Sequence, residues 1–110
     1  MNRSSQAYEA VYLPVFQDQL QELKQKDRVR AKRIQNAVEE ILGHPYQNMD
    51  FGKGRWRGKR KYYVGNDRIM FVVCGQCRKL GHKRFNQCSD CASTKDETVL
   101  FVSIIQGHEY

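Results

Sequence analysis

The sequence predicts an α+β domain with the element order β-α-α-β-β-β. Three observations lead there. Two apolar stripes at helical spacing follow one another early in the chain, first Phe16, Leu20 and Leu23, then Ile34, Val38, Ile41 and Leu42. Three strand-like runs cluster in the second half. Helices and strands grouped in separate stretches, rather than alternating, mark α+β architecture. Four cysteines sit between the last two runs and read as an insertion at the tip of a hairpin.

Taken in order, Ala7–Leu13 alternates roughly, with Tyr8, Ala10 and Tyr12 opposite Val11 and Leu13, which suits a short strand. Pro14 ends it and fits the first turn of a helix, where its missing N–H costs nothing. The Phe16, Leu20, Leu23 stripe carries that helix to about Lys26. Asp27 is a good N-cap for a second helix. That helix stops at Gly43, with Pro45 just beyond. The two helices form an antiparallel hairpin with almost no loop. Tyr46–Arg57 reads as a loop, with Gly52 and Gly54. Lys59–Val64 is a strand, Gly65-Asn66-Asp67 a turn, and Arg68–Val73 the returning strand. The cysteine loop Cys74–Cys91 follows. Thr98–Ile105 is a near-continuous apolar strand, as expected near the middle of a sheet.

The chain has 110 residues, 40% of them apolar and 28% charged, a globular composition for one domain spanning 1–110 with one modest core. No apolar stretch approaches the roughly 20 residues of a membrane span. Met1-Asn2-Arg3-Ser4-Ser5 leads into no apolar signal region. A cytoplasmic protein with no membrane role is expected.

The formal charge is +7, which points to a polyanionic partner, nucleic acid before an acidic protein. The charge is concentrated. Lys53, Arg55, Arg57, Lys59, Arg60 and Lys61 put six cations into nine residues without an acid, beside Trp56, Tyr62 and Tyr63. Cations suit phosphates and rings suit bases, so Lys53, Arg55, Arg57 and Arg60 are candidate RNA contacts. The bland alternative is a solvated face. It remains the default for Lys24, Lys26, Arg28, Arg30, Lys32 and Arg33 on the helices.

Cys74, Cys77, Cys88 and Cys91 read C-x2-C-x10-C-x2-C. Two such knuckles can close a tetrahedral thiolate cage, with one Zn2+ as its usual occupant. A closed four-thiolate site is structural rather than catalytic. Two disulfides, an iron–sulfur site or a redox-active pair are the competing readings. Arg78, Lys79, Lys83 and Arg84 would offset the negative charge of the thiolates.

Residues two apart in a strand share a face and lie about 7 Å from each other. Lys59, Lys61 and Tyr63 therefore project together, and the turn returns Arg68 beside them. His108 and Tyr110, just past the last strand, could reach the same area. Such a cationic pocket suits phosphodiester chemistry. An arginine stabilises developing charge, and a desolvated lysine or a histidine exchanges protons near neutral pH. The competing reading is phosphate contact without chemistry.

Several stretches together resemble the RelE/ParE toxin superfamily of type II toxin–antitoxin pairs. Phe16-Gln17-Asp18-Gln19-Leu20 with Leu23 is similar to the family's first-helix phrase. Ile41-Leu42-Gly43-His44-Pro45 resembles the end of its second helix. Gly58–Phe71 resembles its "G-x-x-r-x-r-v-G-d-y-R-i-x-y" stretch, and Val102–His108 its closing "v-x-x-i-x-H-R". The resemblance covers most of the chain outside Cys74–Asp96.

It implies a small twisted antiparallel sheet flanked by two N-terminal helices; the zinc-binding segment 74–91, expected from the cysteine spacing, would be an insertion in this RelE-like domain that is atypical of the family's best-known members. It implies a ribosome-dependent mRNA endonuclease in which the 2′-hydroxyl attacks the adjacent phosphate without a catalytic metal. Lys59 and Lys61 match the family's strand lysines, a proton acceptor and transition-state stabilisers, and Arg68 matches its phosphate-binding arginine. His108 falls at or beside a second arginine position, and Tyr110 stands near that of a C-terminal tyrosine. The expected partners are an antitoxin, the ribosome and mRNA. The alternatives are a non-enzymatic, zinc-stapled RNA- or ribosome-binding module and a ParE-like toxin acting on gyrase.

Overall fold

In a computed structural model of the chain, residues 8–46, 50–51, 58–80 and 95–106 are described. They form β1 (Glu9–Tyr12), α1 (Pro14–Lys26), α2 (Arg28–Gly43), β2 (Asp50–Phe51), β3 (Arg60–Val64), β4 (Asp67–Val73), α3 (Cys74–Leu80) and β5 (Thr98–Gln106). The strands make one sheet in the order β1-β5-β4-β3-β2. The mixed α+β class and the helical hairpin followed by a meander are as the sequence predicts.

Local chemistry sets the helix boundaries. Pro14 occupies the first turn of α1. Asp27 serves both helices. Its N–H donates to Leu23 O at 2.7 Å, closing α1, and its carboxylate accepts from Arg30 N at 3.2 Å, capping α2. One residue therefore suffices as the junction. The apolar stripes of both helices face one side of the sheet. Phe16, Ile34 and Ile41 are fully buried against Ile69, Phe71, Val99 and Phe101. Tyr12 stacks on Phe16 and Phe101, with centroids 5.8 and 5.2 Å away. A smaller cluster of Val72, Leu100 and Cys77, edged by Leu13 and Val102, packs separately. Its strand positions alternate with those of the main core, so it belongs to the sheet face away from the helices.

Three features depart from the sequence expectation. The sheet is not wholly antiparallel, because β1 pairs with β5 in parallel, Glu9 opposite Thr98 and Tyr12 opposite Phe101. The second departure is β2, which lies inside the segment read as a loop and pairs Phe51 with Arg60. It runs antiparallel to β3, and because β3, β4 and β5 alternate in direction, β1 runs parallel to both β3 and β5. The third departure is α3, a helix at the start of the segment read as a loop. Its docking is tight. Gly75 N donates to Asp96 O at 3.0 Å, and a Cβ on Gly75 would meet Asp96 Cβ at 2.9 Å. Arg78 adds an ion pair with Asp96.

β1 ends at Tyr12, two residues before Pro14, so the edge of β5 beyond Phe101 has no neighbouring strand on that side. Gln19 from α1 covers it. Its amide donates to Ile104 O at 2.8 Å and accepts from Ile104 N at 2.6 Å. A side-chain amide thus replaces the missing strand at one residue and satisfies a donor and an acceptor together.

A candidate phosphate-binding site on the β3–β4 hairpin

The β3–β4 turn decides which side chains meet. Gly65, at φ +60°, adopts a left-handed conformation that a side chain would strain. The resulting register sets Tyr63 opposite Arg68 and Lys61 opposite Met70. Alternation then puts Lys61, Tyr63, Arg68 and Met70 on the face opposite the helices. The start of β4 is anchored from the other side. Asp67 is buried and accepts two hydrogen bonds from Arg30, from Nε at 3.0 Å and Nη2 at 2.7 Å. Arg68 follows directly on that fixed point.

The cations converge on one phenol. The Arg68 guanidinium carbon lies 4.9 Å from the centre of the Tyr63 ring, and Lys61 Nζ lies 5.6 Å from it. Lys61 is 7% exposed, whereas Tyr63 is 48% exposed and is the solvent-facing member of the group. Hydrogen bonding from Lys61, and then from Arg68, holds the Tyr63 phenol below its ordinary pKa, reinforced by the two positive charges. Lys59 is half-buried. Desolvation lowers the pKa of its ammonium, and the Cys77 thiol beside it acts in the opposite direction. Two fixed cations around an exposed hydroxyl can bind a phosphate and stabilise additional negative charge on it.

Arg60 stands apart from the expected RNA contacts. It is 7% exposed, donates to Gln76 Oε1 at 2.8 Å, and its guanidinium lies 5.3 Å from the centre of the Tyr46 ring. It points to the face opposite Lys59 and Lys61 and ties α3 to the segment after α2. What sets Arg60 apart from Lys61, which is as buried, is the sheet face it occupies and its contacts with Gln76 and Tyr46. Lys53, Arg55, Arg57, His108 and Tyr110 lie outside the described residues.

Cys74 and Cys77 are both buried, at the first and fourth positions of α3, where i and i+3 side chains share a face. Two thiols so disposed on one turn suit half of a tetrahedral thiolate set. Cys88 and Cys91 lie outside the described residues. Among the described residues no group of three or more metal-ligating side chains occurs.

Two contributors escape sequence reasoning. Tyr63 is visible as a face-sharing residue, but its role as the centre of the cationic group depends on the cross-strand register. The Arg30–Asp67 pair joins residues 37 positions apart, and the helical cations had the solvated-face default. A buried acid at the start of a strand was the available signal, since such a carboxylate needs a partner.

No family model matches the sequence, and no curated protein matches it. Among solved structures, the chain is similar to the YoeB/ParE toxin from Agrobacterium tumefaciens. The match has a TM-score of 0.63 at 11% identity and covers 89% of this chain and 96% of that one. At such an identity the likeness is one of fold: the helical hairpin and sheet that carry the Lys61–Tyr63–Arg68 group share the architecture of that toxin structure.

Proposed function

We propose that this chain is the toxin of a type II toxin–antitoxin pair and cuts mRNA on the ribosome. The observation that carries the reading is the meeting of Lys61 and Arg68 around one solvent-facing point of the β3–β4 hairpin. The shared fold with a YoeB/ParE toxin supports the toxin class. In this mechanism the RNA backbone lies over the hairpin. Arg68 and Lys61 hold the scissile phosphate and stabilise the charge that builds on its non-bridging oxygens. Lys59 extends the same cationic face along the strand. The 2′-hydroxyl attacks the adjacent phosphorus. A cyclic phosphate forms, and the 5′-oxygen of the next nucleotide departs. His108 and Tyr110, from the end of the chain, complete the proposed catalytic set, and Lys53, Arg55 and Arg57 add phosphate contacts. An antitoxin would hold the protein inactive, and the ribosome presents the mRNA in the cytoplasm. No helix among the described residues is long and apolar enough to cross a membrane.

The same proposal gives Cys74, Cys77, Cys88 and Cys91 one Zn2+. The ion would staple the segment between β4 and β5 and so steady the hairpin beside it. Its role is structural, and no step of the cleavage passes through it.

The test is cleavage of a defined mRNA on programmed ribosomes, mapped by primer extension. Wild-type protein should cut within the A-site codon. Removing a charge-stabilising group should slow cutting by about 10²- to 10³-fold, so Lys61→Ala with Arg68→Ala should abolish detectable product. Ribosome binding with no cleavage by the wild type would instead identify a non-enzymatic binding module.

A further inference from the structure

We propose that Tyr63 is the general base of the reaction, its phenolate oxygen taking the proton of the attacking 2′-hydroxyl. The proposal deepens the nuclease reading and rests on it. Tyr63 differs from Tyr110, the tyrosine that the sequence suggests, by sitting inside the cationic group rather than beyond the last strand.

Three geometric observations single it out. Tyr63 is the cross-strand partner of Arg68, so the hairpin register fixes their approach. Arg68 and Lys61 both lie against its ring, at 4.9 and 5.6 Å from the centroid. Lys61 is nearly enclosed while Tyr63 is half exposed. An RNA backbone approaching this face therefore meets the phenol and finds the cations held around it. The chemistry of the group agrees. Hydrogen bonds and positive charge favour the ionised phenol, so its pKa moves down toward the working range of a base. The other tyrosines with a shifted phenol, Tyr12, Tyr46 and Tyr62, move up, mainly through desolvation.

The step balances as follows. Tyr63 phenolate accepts the 2′-hydroxyl proton and becomes the neutral phenol. The 2′-oxygen forms a bond to phosphorus, and the bond from phosphorus to the 5′-oxygen breaks. The leaving oxygen keeps the electron pair and takes a proton from water. The resulting hydroxide removes the phenol proton, which restores Tyr63. No redox change occurs.

The decisive variant is Tyr63→Phe, which keeps the ring beside both cations and removes the hydroxyl together with its hydrogen bonds from Lys61 and Arg68. Single-turnover cleavage of a defined mRNA on saturating programmed ribosomes should slow by about 10²- to 10⁴-fold, the range for a positioned base. Co-sedimentation with ribosomes should stay as in the wild type. The wild-type rate should rise with pH toward a plateau, and the Phe variant should lose that rise. Fluorotyrosine at position 63 has a more acidic phenol and should move the rise to lower pH. Activity of Tyr63→Phe within about twofold of wild type overturns the proposal. If Lys61→Ala with Arg68→Ala is dead in that case, the nuclease reading survives and only the base assignment falls. A wild-type protein that leaves the mRNA uncut on ribosomes it binds removes both.

Discussion

The Arg30–Asp67 pair gives the sharpest energetic prediction, because its two partners differ in exposure. The Asp67 side chain is 7% exposed and that of Arg30 is 32% exposed. Arg30→Ala strands a carboxylate that water hardly reaches, and breaking a buried pair from that side costs about 3–5 kcal/mol. Asp67→Ala strands a guanidinium that solvent can partly hydrate. Its cost should fall to about 2–3 kcal/mol, close to the loss of charge-assisted hydrogen bonds alone. At roughly 4–8 °C per kcal/mol for a domain near this size, the melting temperature should drop by about 10 °C or more in either variant. The assay is urea unfolding of wild type, both single variants and the double variant. Midpoints should fall with little change in slope. The double variant should lose less than the two singles together, with a coupling energy of about 2 kcal/mol. Coupling under about 0.5 kcal/mol would show that the pair does not anchor β4, and equal costs for the two singles would refute the argument from unequal exposure. Since Arg68 follows Asp67, both single variants should also slow RNA cleavage.

Gln19→Ala should cost about 1–3 kcal/mol, because it leaves the N–H and C=O of Ile104 without their side-chain partner at a partly covered edge; thermal melting checks this, and an unchanged midpoint contradicts it. Spectrophotometric titration should show a phenol ionising below the ordinary tyrosine pKa, and Tyr63→Phe should erase that component. The linkage sign follows from the lowered pKa: the contribution of Tyr63 to stability is present above the ordinary phenol pKa and is lost as pH falls through the folded-state value. Chelation should release one zinc per chain and lower the melting temperature, because four thiolates would lose the ion that holds them; a protein that releases its zinc and melts unchanged argues against a stapling role. Gly75→Ala should loosen α3 from Asp96, read as faster amide exchange at the start of β5, since the added methyl would overlap Asp96.

The helical hairpin was legible because its signals are local. Pro14, the Phe16–Leu20–Leu23 stripe, Asp27 and Gly43 each act within a turn or two, and α1 and α2 begin and end where they direct. The β3–β4 hairpin was legible for the same reason, through Gly65-Asn66 and the alternation around it. β2 was not, since two residues carry no period and their pairing is supplied by β3. α3 was hidden by its length and by Gly75, which weakens helix propensity; its contacts with Asp96 supply what local preference lacks. Arg60 shows the opposite limit. Charge and position put it among the RNA contacts, but its burial against Gln76 and Tyr46 depends on where two distant segments pack.

The sequence by itself determined the class of fold, the place of the β3–β4 turn and the face shared by Lys59, Lys61 and Tyr63, because backbone propensity and two-residue alternation operate over a few neighbouring residues. Tertiary structure alone decided that Arg60 packs against Gln76 and Tyr46, that β5 runs parallel to β1, and that Arg68 and Lys61 lie beside one half-exposed phenol. Those outcomes depend on pairings between residues far apart in the chain, and their free energies come from burial and charge that arise only when the segments meet.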